Sequence, residues 1–265
     1  MKPLRVLSLG AGVQSSTVAM MMVHGEVELA DVAIFADTCA EPKAVYQWLQ
    51  WLTQRIGPRL EVVVVRQGAG LTANMEAGCS GARHCSNPPF FVSSGGLLKR
   101  NCTRDYKIAP ILREVQRRRA GRSVVQVFGI STDEAQRRRE PQRQYIAAHE
   151  YPLVDRGISR RDCLRWMIRH GYPTPPRSAC VYCPYRCDAE WERMQALAPD
   201  DFAEACRVDA MVRRCLPGVR GLNGHQQREC FVHRSLKPLN EVDFRDDVGH
   251  GQGLLFQCAD GMCGV

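Results

Sequence analysis

The sequence predicts an α/β fold, a parallel sheet flanked by helices, and three observations predict it. Short β-rich apolar runs recur along the first half, amphipathic stretches separate them, and a glycine-rich turn joins the first run to the first helix. Strands that alternate with helices need crossover connections, and crossovers make parallel pairs. Residues 4–9 alternate and run into Gly10-Ala11-Gly12, after which 15–23 reads as a helix. Residues 32–36 form an apolar run ending at Asp37, as a strand buried on both faces requires. Residues 43–55 place Trp48, Leu49 and Leu52 on one helical side, and 61–65 is strand-like again. The stretch 68–96, rich in Gly, Cys, Ser and Pro, reads as a long loop. A helix near 108–119, a strand over 124–129, a helix from about Asp133, a short strand over 151–154 and a helix over 160–170 follow. After Pro173 prolines and cysteines cluster up to Cys187; the chain then reads as mainly helical to about Pro217 and mostly loop beyond. This divides the chain into an α/β domain, 1–172, and a Cys-rich, mainly helical and loop region, 173–265.

At 265 residues the chain can bury a large core. A composition of 45% hydrophobic and 24% charged residues excludes wholesale disorder. No apolar run reaches the length of a membrane span. Lys2 and Arg5 precede a partly apolar stretch, but Gly10, Gly12, Gln14, Ser15 and Ser16 break it and no small-residue cleavage site follows. A cytoplasmic protein without a signal peptide is expected. There a disulfide framework is disfavoured, so thirteen cysteines point to metal binding or sulfur chemistry. Cys39, Cys79, Cys206, Cys215 and Cys230 read as small hydrophobes. The net charge of +8, with arginines clumped at 117–119 and 137–139, fits solvated faces or a surface for a polyanion, either a nucleotide or a nucleic acid.

The stretch Ser8-Leu-Gly10-Ala-Gly12-Val-Gln14-Ser15-Ser16 lies between a strand and a helix. Small residues there let the backbone curl until its N–H groups and the helix N-terminus face an anion, with two hydroxyls as added donors. It is not a Walker loop, because no Gly-Lys-Ser/Thr follows. Cys180-Val-Tyr-Cys183-Pro-Tyr-Arg-Cys187 sets three thiols at spacings that can wrap an iron–sulfur cluster, or a structural zinc with Cys102 or a histidine. Arg104, Lys107, Arg137 and Arg234 are candidate holders of phosphate or sulfate. His233-Arg234-Ser235-Leu-Lys237 is a compact basic patch, and the Cys258/Cys263 pair is suited to a thiol relay. Asp37 is a candidate contact for a ribose or a Mg²⁺ ion.

Taken together these motifs resemble the phosphoadenylylsulfate (PAPS) reductase family. Gly-x-Gly-Val-Gln14-Ser15-Ser16 is similar to its PP-loop, and Asp37-Thr38-Cys39 to its Asp-Thr-Gly. Cys102-Thr-Arg-Asp-Tyr-Lys107-Ile-Ala-Pro110 resembles its Cys…Arg-Lys…Pro segment. Gly129-Ile-Ser-Thr-Asp133-Glu134-x-x-Arg137 resembles its Gly-x-Arg-x-x-Glu/Asp…Arg stretch, and Tyr151-Pro-Leu-Val-Asp155 with His170-Gly171 its Pro-x-x-Asp…His-Gly unit. The likeness spans roughly 4–187 in the right order. It implies a Rossmann-like, adenine nucleotide α-hydrolase-type sheet that binds ATP or a related adenine nucleotide through Gly10, Gly12, Gln14, Ser15, Ser16, Asp37, Thr38 and Gly129. Catalytic roles would fall to Cys102, Lys107, Asp133 and Arg137. A [4Fe–4S] cluster would use Cys102, Cys180 and Cys183, with Cys187 or Cys85 as a fourth ligand or an open iron, since Asn101 replaces the first cysteine of the family's pair. Two departures bear on the reaction: the family's Glu-Cys-Gly-Leu-His tail is absent, and Gly10 stands where the loop's first serine belongs. They favour ATP-dependent sulfur transfer to a nucleotide or nucleic acid over sulfonucleotide reduction. A sulfur-donor or reductant protein is then a candidate partner. A zinc-stabilised nucleic-acid-binding module is the non-enzymatic alternative.

Overall fold

The computed structural model describes residues 1–80, 86–215 and 229–245. Five strands make one parallel sheet: β1 (Leu4–Leu9), β2 (Val32–Asp37), β3 (Glu61–Arg66), β5 (Val124–Phe128) and β6 (Ile146–Glu150), in the order β3-β2-β1-β5-β6. The α/β expectation holds. Alternation decides which helices each face meets. Leu4, Val6, Ile34, Val124 and Ile146 pack with Ile111 and Val115 of α4 (Ala109–Arg119) on one side. Leu7, Leu9, Ala33, Phe35 and Val127 meet α1 (Val13–His24), α2 (Lys43–Ile56) and α6 (Arg160–Arg169) on the other. Arg5 is tolerated in the buried first strand because its guanidinium grips Glu150 of β6 in bidentate fashion. The two bonds measure 2.8 and 2.7 Å.

The loop expected over 68–96 instead contains a helix, α3 (Leu71–Cys79). Gly70, at φ +99°, starts it, and Leu71 and Met75 vanish into a second core, a burial that local composition does not announce. The fifth strand lies at Ile146–Glu150, and the expected strand at 151–154 is a helical turn, α5 (Pro152–Asp155). Pro152 occupies the first turn, where its missing N–H does no harm and its fixed φ suits a helix. The helix expected from Asp133 is a short 3-10 segment, Thr132–Arg137, kinked at Glu134.

The second core is built from α3, α7 (Asp188–Leu197), α8 (Pro199–Cys215) and a small antiparallel pair, β4 (Phe91–Val92) with β7 (Cys230–Phe231). Trp191, Tyr182 and Phe90 are its largest fully buried side chains. Asp209 of α8 fastens residues 229–245 to this core. Its carboxylate, fully buried, accepts the backbone N–H of Val232 at 2.9 Å and of Leu239 at 3.1 Å, and meets Arg213 Nε at 3.1 Å. No described helix is long and apolar enough to cross a membrane.

Asp209→Ala should strand two buried N–H groups and destabilise the protein by about 3 kcal/mol, read as a lower urea midpoint. Burial also pushes the thiols of Cys163 and Cys230 up to about 12. The unfolded chain loses those protons near pH 9 while the folded one keeps them. Stability should therefore be full below about pH 9 and fall between about pH 9 and 12, by at most about 1.4 kcal/mol per pH unit per thiol. Denaturant titrations across that window check it, and Cys163→Ala should shallow the slope.

Candidate functional site

The strand order changes direction between β1 and β5. In an open parallel sheet the crevice at such a switch point, beyond the strands' carboxyl ends, is where a ligand fits. Two short segments meet there. After β1 the chain curls through Ala11, at φ +53°, into α1, whose first turn has no side-chain cap. After β5, Gly129 lies against that turn: a Cβ on it would come 2.5 Å from Ser15 Cα and 2.6 Å from Ser15 N. Only a glycine allows this approach.

A cleft opens above them, walled by Gly10, Gly12, Gln14, Ser15, Gly129 and Glu134, with Lys107, Arg137, Arg160 and Arg177 as its cations. Four basic groups face one carboxylate, and the uncapped amino end of α1 adds its partial positive charge. Ser15 Oγ accepts the Gly10 N–H at 3.1 Å and so holds the loop closed. Gln14 Nε2 donates to Glu134 Oε2 at 3.2 Å, and Arg137 meets the other Glu134 oxygen at 2.5 Å. Burial raises the Glu134 carboxyl above its ordinary range, with Arg137 pulling the other way.

Other expected residues lie elsewhere. Ser16 is fully buried and its Oγ accepts the Trp48 indole N–H at 2.8 Å, an anchor between α1 and α2. Asp37 is not part of the cleft wall; its carboxylate takes Tyr46 Oη at 2.8 Å, the Cys39 N–H at 2.8 Å and Arg66 Nε at 2.7 Å. Cys39 itself adopts φ +57°. That is the left-handed conformation which a glycine would take without strain. Asp133 is exposed and accepts the Arg160 N–H at 2.5 Å, while its neighbour Glu134 lines the cleft. Arg104 pairs with Asp105 at 2.7 Å, and Arg234 with Asp188 at 2.5 Å, outside the cleft. Among the polar wall residues, sequence reasoning did not single out Arg160, Arg177 and Ser178, and it named Asp133 where Glu134 stands. Arg177 is embedded in a proline-rich run, and only its place just before the cysteines gives a signal.

A second pocket adjoins the first. Cys102, Cys180, Cys183, Arg100, Tyr185 and Lys107 line it, so Lys107 stands in both walls. Behind it Glu41, with no side-chain exposure, lies 3.4 Å from Lys107 Nζ and accepts from Thr38 Oγ1 at 3.3 Å; Thr38 in turn lies 3.7 Å from Cys180 Sγ. Burial pushes the Cys180 thiol up to about 12, with Glu41 adding to the rise and Lys107 opposing it. Cys187 is not in this wall; it begins α7, its N–H donating to Glu190 at 3.1 Å. Among the described residues no three of the four sulfurs lie mutually within 4.8 Å. One tetrahedral zinc would hold thiolates about 3.8 Å apart. Three cysteines around the pocket thus offer thiolates at spacings wider than one preformed tetrahedral zinc site would have. Cys85 and the Cys258/Cys263 pair lie outside the described residues, and Cys79, expected as a packed thiol, is disulfide-bonded.

No family model matches the chain, and no curated protein matches it. The structure is similar to that of phosphoadenylyl-sulfate (PAPS) reductase from Candida auris in its phosphate complex, with a TM-score of 0.46 and 12% identity, covering 66% of this chain and 76% of that chain.

Gly129→Ala should push the β5 end away from α1 and destabilise the protein by about 1–3 kcal/mol. The Cβ of Gly10→Ala would meet only Ser15 Oγ, at 3.5 Å. That variant should stay within about 0.5 kcal/mol of the parent. Urea midpoints of the two variants test the difference.

Proposed function

We propose that the chain is a PAPS-reductase-like PP-loop enzyme that binds ATP or a related adenine nucleotide over residues 10–16 and transfers sulfur to a nucleotide or nucleic acid. One observation carries the reading: Lys107 borders both the cationic cleft and the cysteine pocket, so phosphates and a sulfur site share one positive charge. In this reading an acceptor oxygen attacks the α-phosphorus of ATP and pyrophosphate leaves. Lys107, Arg137, Arg160 and Arg177 neutralise the charge that builds on the departing oxygens. Hydrosulfide then attacks the activated carbon, AMP departs with the original oxygen, and a thiocarbonyl remains. Gln14 and Arg137 hold Glu134 in place, and its raised affinity for a proton suits it to accept one from the attacking group. Cys102, Cys180 and Cys183 would hold a [4Fe–4S] cluster, with zinc as the alternative occupant, and a cluster would supply a binding place for sulfide. Mg²⁺, if it accompanies the nucleotide, would do so on the phosphates, since Asp37 is engaged elsewhere.

The acceptor and a sulfur-donor partner stay at the level of class. The arginines at 117–119 are engaged with their own surface, through Glu114, Glu61 and Gln116, yet Arg117 remains exposed enough to meet a polyanion. Sulfonucleotide reduction is the second reading, because thiols beside an anion cleft also suit attack on a sulfate sulfur.

The deciding experiment is pyrophosphate release from ATP in the presence of RNA, DNA or nucleotide acceptors. ATP- and acceptor-dependent release is expected, with Lys107→Ala reducing it by about a hundredfold or more, and Lys107→Ala/Glu41→Gln, which removes the buried charge left behind, reducing it as much. Reduction of an adenylylated sulfate without any ATP turnover would reverse the ranking, and nucleic-acid binding with neither activity would leave the binding module.

A further inference from the structure

The end of α1 remote from the cleft carries a second donor cluster. His24, Glu26 and His170 each offer a ligand atom, and all three lie within 4.8 Å of one another, with His170 Nε2 4.0 Å from Glu26 Oε1. We infer that His24, Glu26 and His170 form a binding site for a divalent transition-metal ion that clamps the carboxyl end of α1 to that of α6.

The groups around the cluster hold its donors in place and set the tautomer of His170. His170 Nδ1 sits 2.8 Å from the Trp166 carbonyl oxygen. That oxygen can only accept, so Nδ1 carries the proton and Nε2 keeps its lone pair. The Trp166 indole N–H donates to both Glu26 oxygens, at 3.0 and 3.1 Å, and holds the carboxylate beside the imidazole. His24 Nε2 lies 2.8 Å from Tyr172 Oη, and the His24 ring packs edge-on against Trp166 and His170 at 5.3 and 5.0 Å. His170 stacks on Trp166 at 3.9 Å. All three donors are thus oriented by second partners rather than swinging free.

The charge environment agrees. Helices α1 and α6 both stop here, followed by left-handed Gly25 and Gly171, so two carboxyl-terminal dipoles turn their negative ends towards the cluster. Arg156 donates to the Glu26 backbone carbonyl, and Arg55 sits over the Tyr172 ring at 5.3 Å; neither occupies the Glu26 carboxylate. Two imidazoles and a carboxylate, with no sulfur, suit zinc, cobalt, nickel or copper and leave positions for water. The part of α1 from Ser16 to His24 separates this cluster from the loop at Gly10–Ser16. That is about 12 Å of helix, and the inference does not rest on the nucleotide reading.

Cobalt(II) titrated into the full chain tests it, because thiolate-bound cobalt has an intense near-ultraviolet charge-transfer band that a nitrogen–oxygen site lacks. The expected result is one equivalent bound without that band. Trp166 fluorescence should be quenched in step, since its ring stacks on His170. Affinity should fall at least about tenfold in His170→Gln and vanish from this signal in His24→Gln/His170→Gln. Glu26→Gln, which keeps the shape of the side chain, should also weaken binding and serves if the double variant does not fold. Quenching unchanged in these variants, or cobalt taken up only with the thiolate band, would overturn the inference.

Discussion

At the carboxyl end of β5 the backbone of Gly129 passes so near the first turn of α1 that no side chain fits between them. This steric contact places the two halves of the switch point against each other and leaves the cleft above them narrow enough for several cations to face one anion. Strand order alone would put a crevice here. The contact sets its width, and through it the distance from the loop's N–H groups to Arg137 and Lys107 across the gap. Ser15 closes the loop from within by accepting the Gly10 N–H, so the anion-facing backbone is held before any ligand arrives. Donors fixed in advance need little reorganisation when charge develops beside them.

The pair Glu41–Lys107 does comparable work one layer deeper. A carboxylate with no exposure is tolerated only beside a cation and hydrogen-bond donors. Lys107 and Thr38 supply them, and this ties the end of β2 to the turn that precedes α4. Because Lys107 also borders both pockets, the charge that offsets Glu41 is the one shared between the cationic cleft and the cysteine pocket. Removing it would leave Glu41 uncompensated and raise the Cys180 thiol further, so stability and the state of that thiol are coupled at one side chain. Burial first, and Glu41 second, make Cys180 favour its protonated form, against the pull of Lys107. A thiolate there needs a positive partner.

The legible parts of this protein are those written in local pattern. The alternation in residues 4–9 and the apolar run before Asp37 set strands and faces, and the spacing of Trp48, Leu49 and Leu52 sets the buried side of α2. The glycines at 10 and 12 mark the loop, and the Cys180/Cys183 spacing marks the second pocket. Helix α3 and the turn at Pro152 escape such reading because their stability comes from partners distant in sequence, α8 in the first case and α1 in the second.

For the site, sequence determined residue types and order, which is enough to name a loop, a lysine, two arginine runs and a set of thiols. Tertiary structure decided which of them share a space. It turned Ser16 inward to Trp48, engaged Asp37 with Tyr46 and Arg66, put Glu134 rather than Asp133 in the cleft, and brought Arg160 and Arg177 to it from far along the chain. The reason is physical. A strand or helix is fixed by a period of about two or 3.6 residues that neighbours reveal, whereas a cleft is fixed by packing between segments on the order of a hundred residues apart, and there a turn of one residue exchanges a buried side chain for an exposed one.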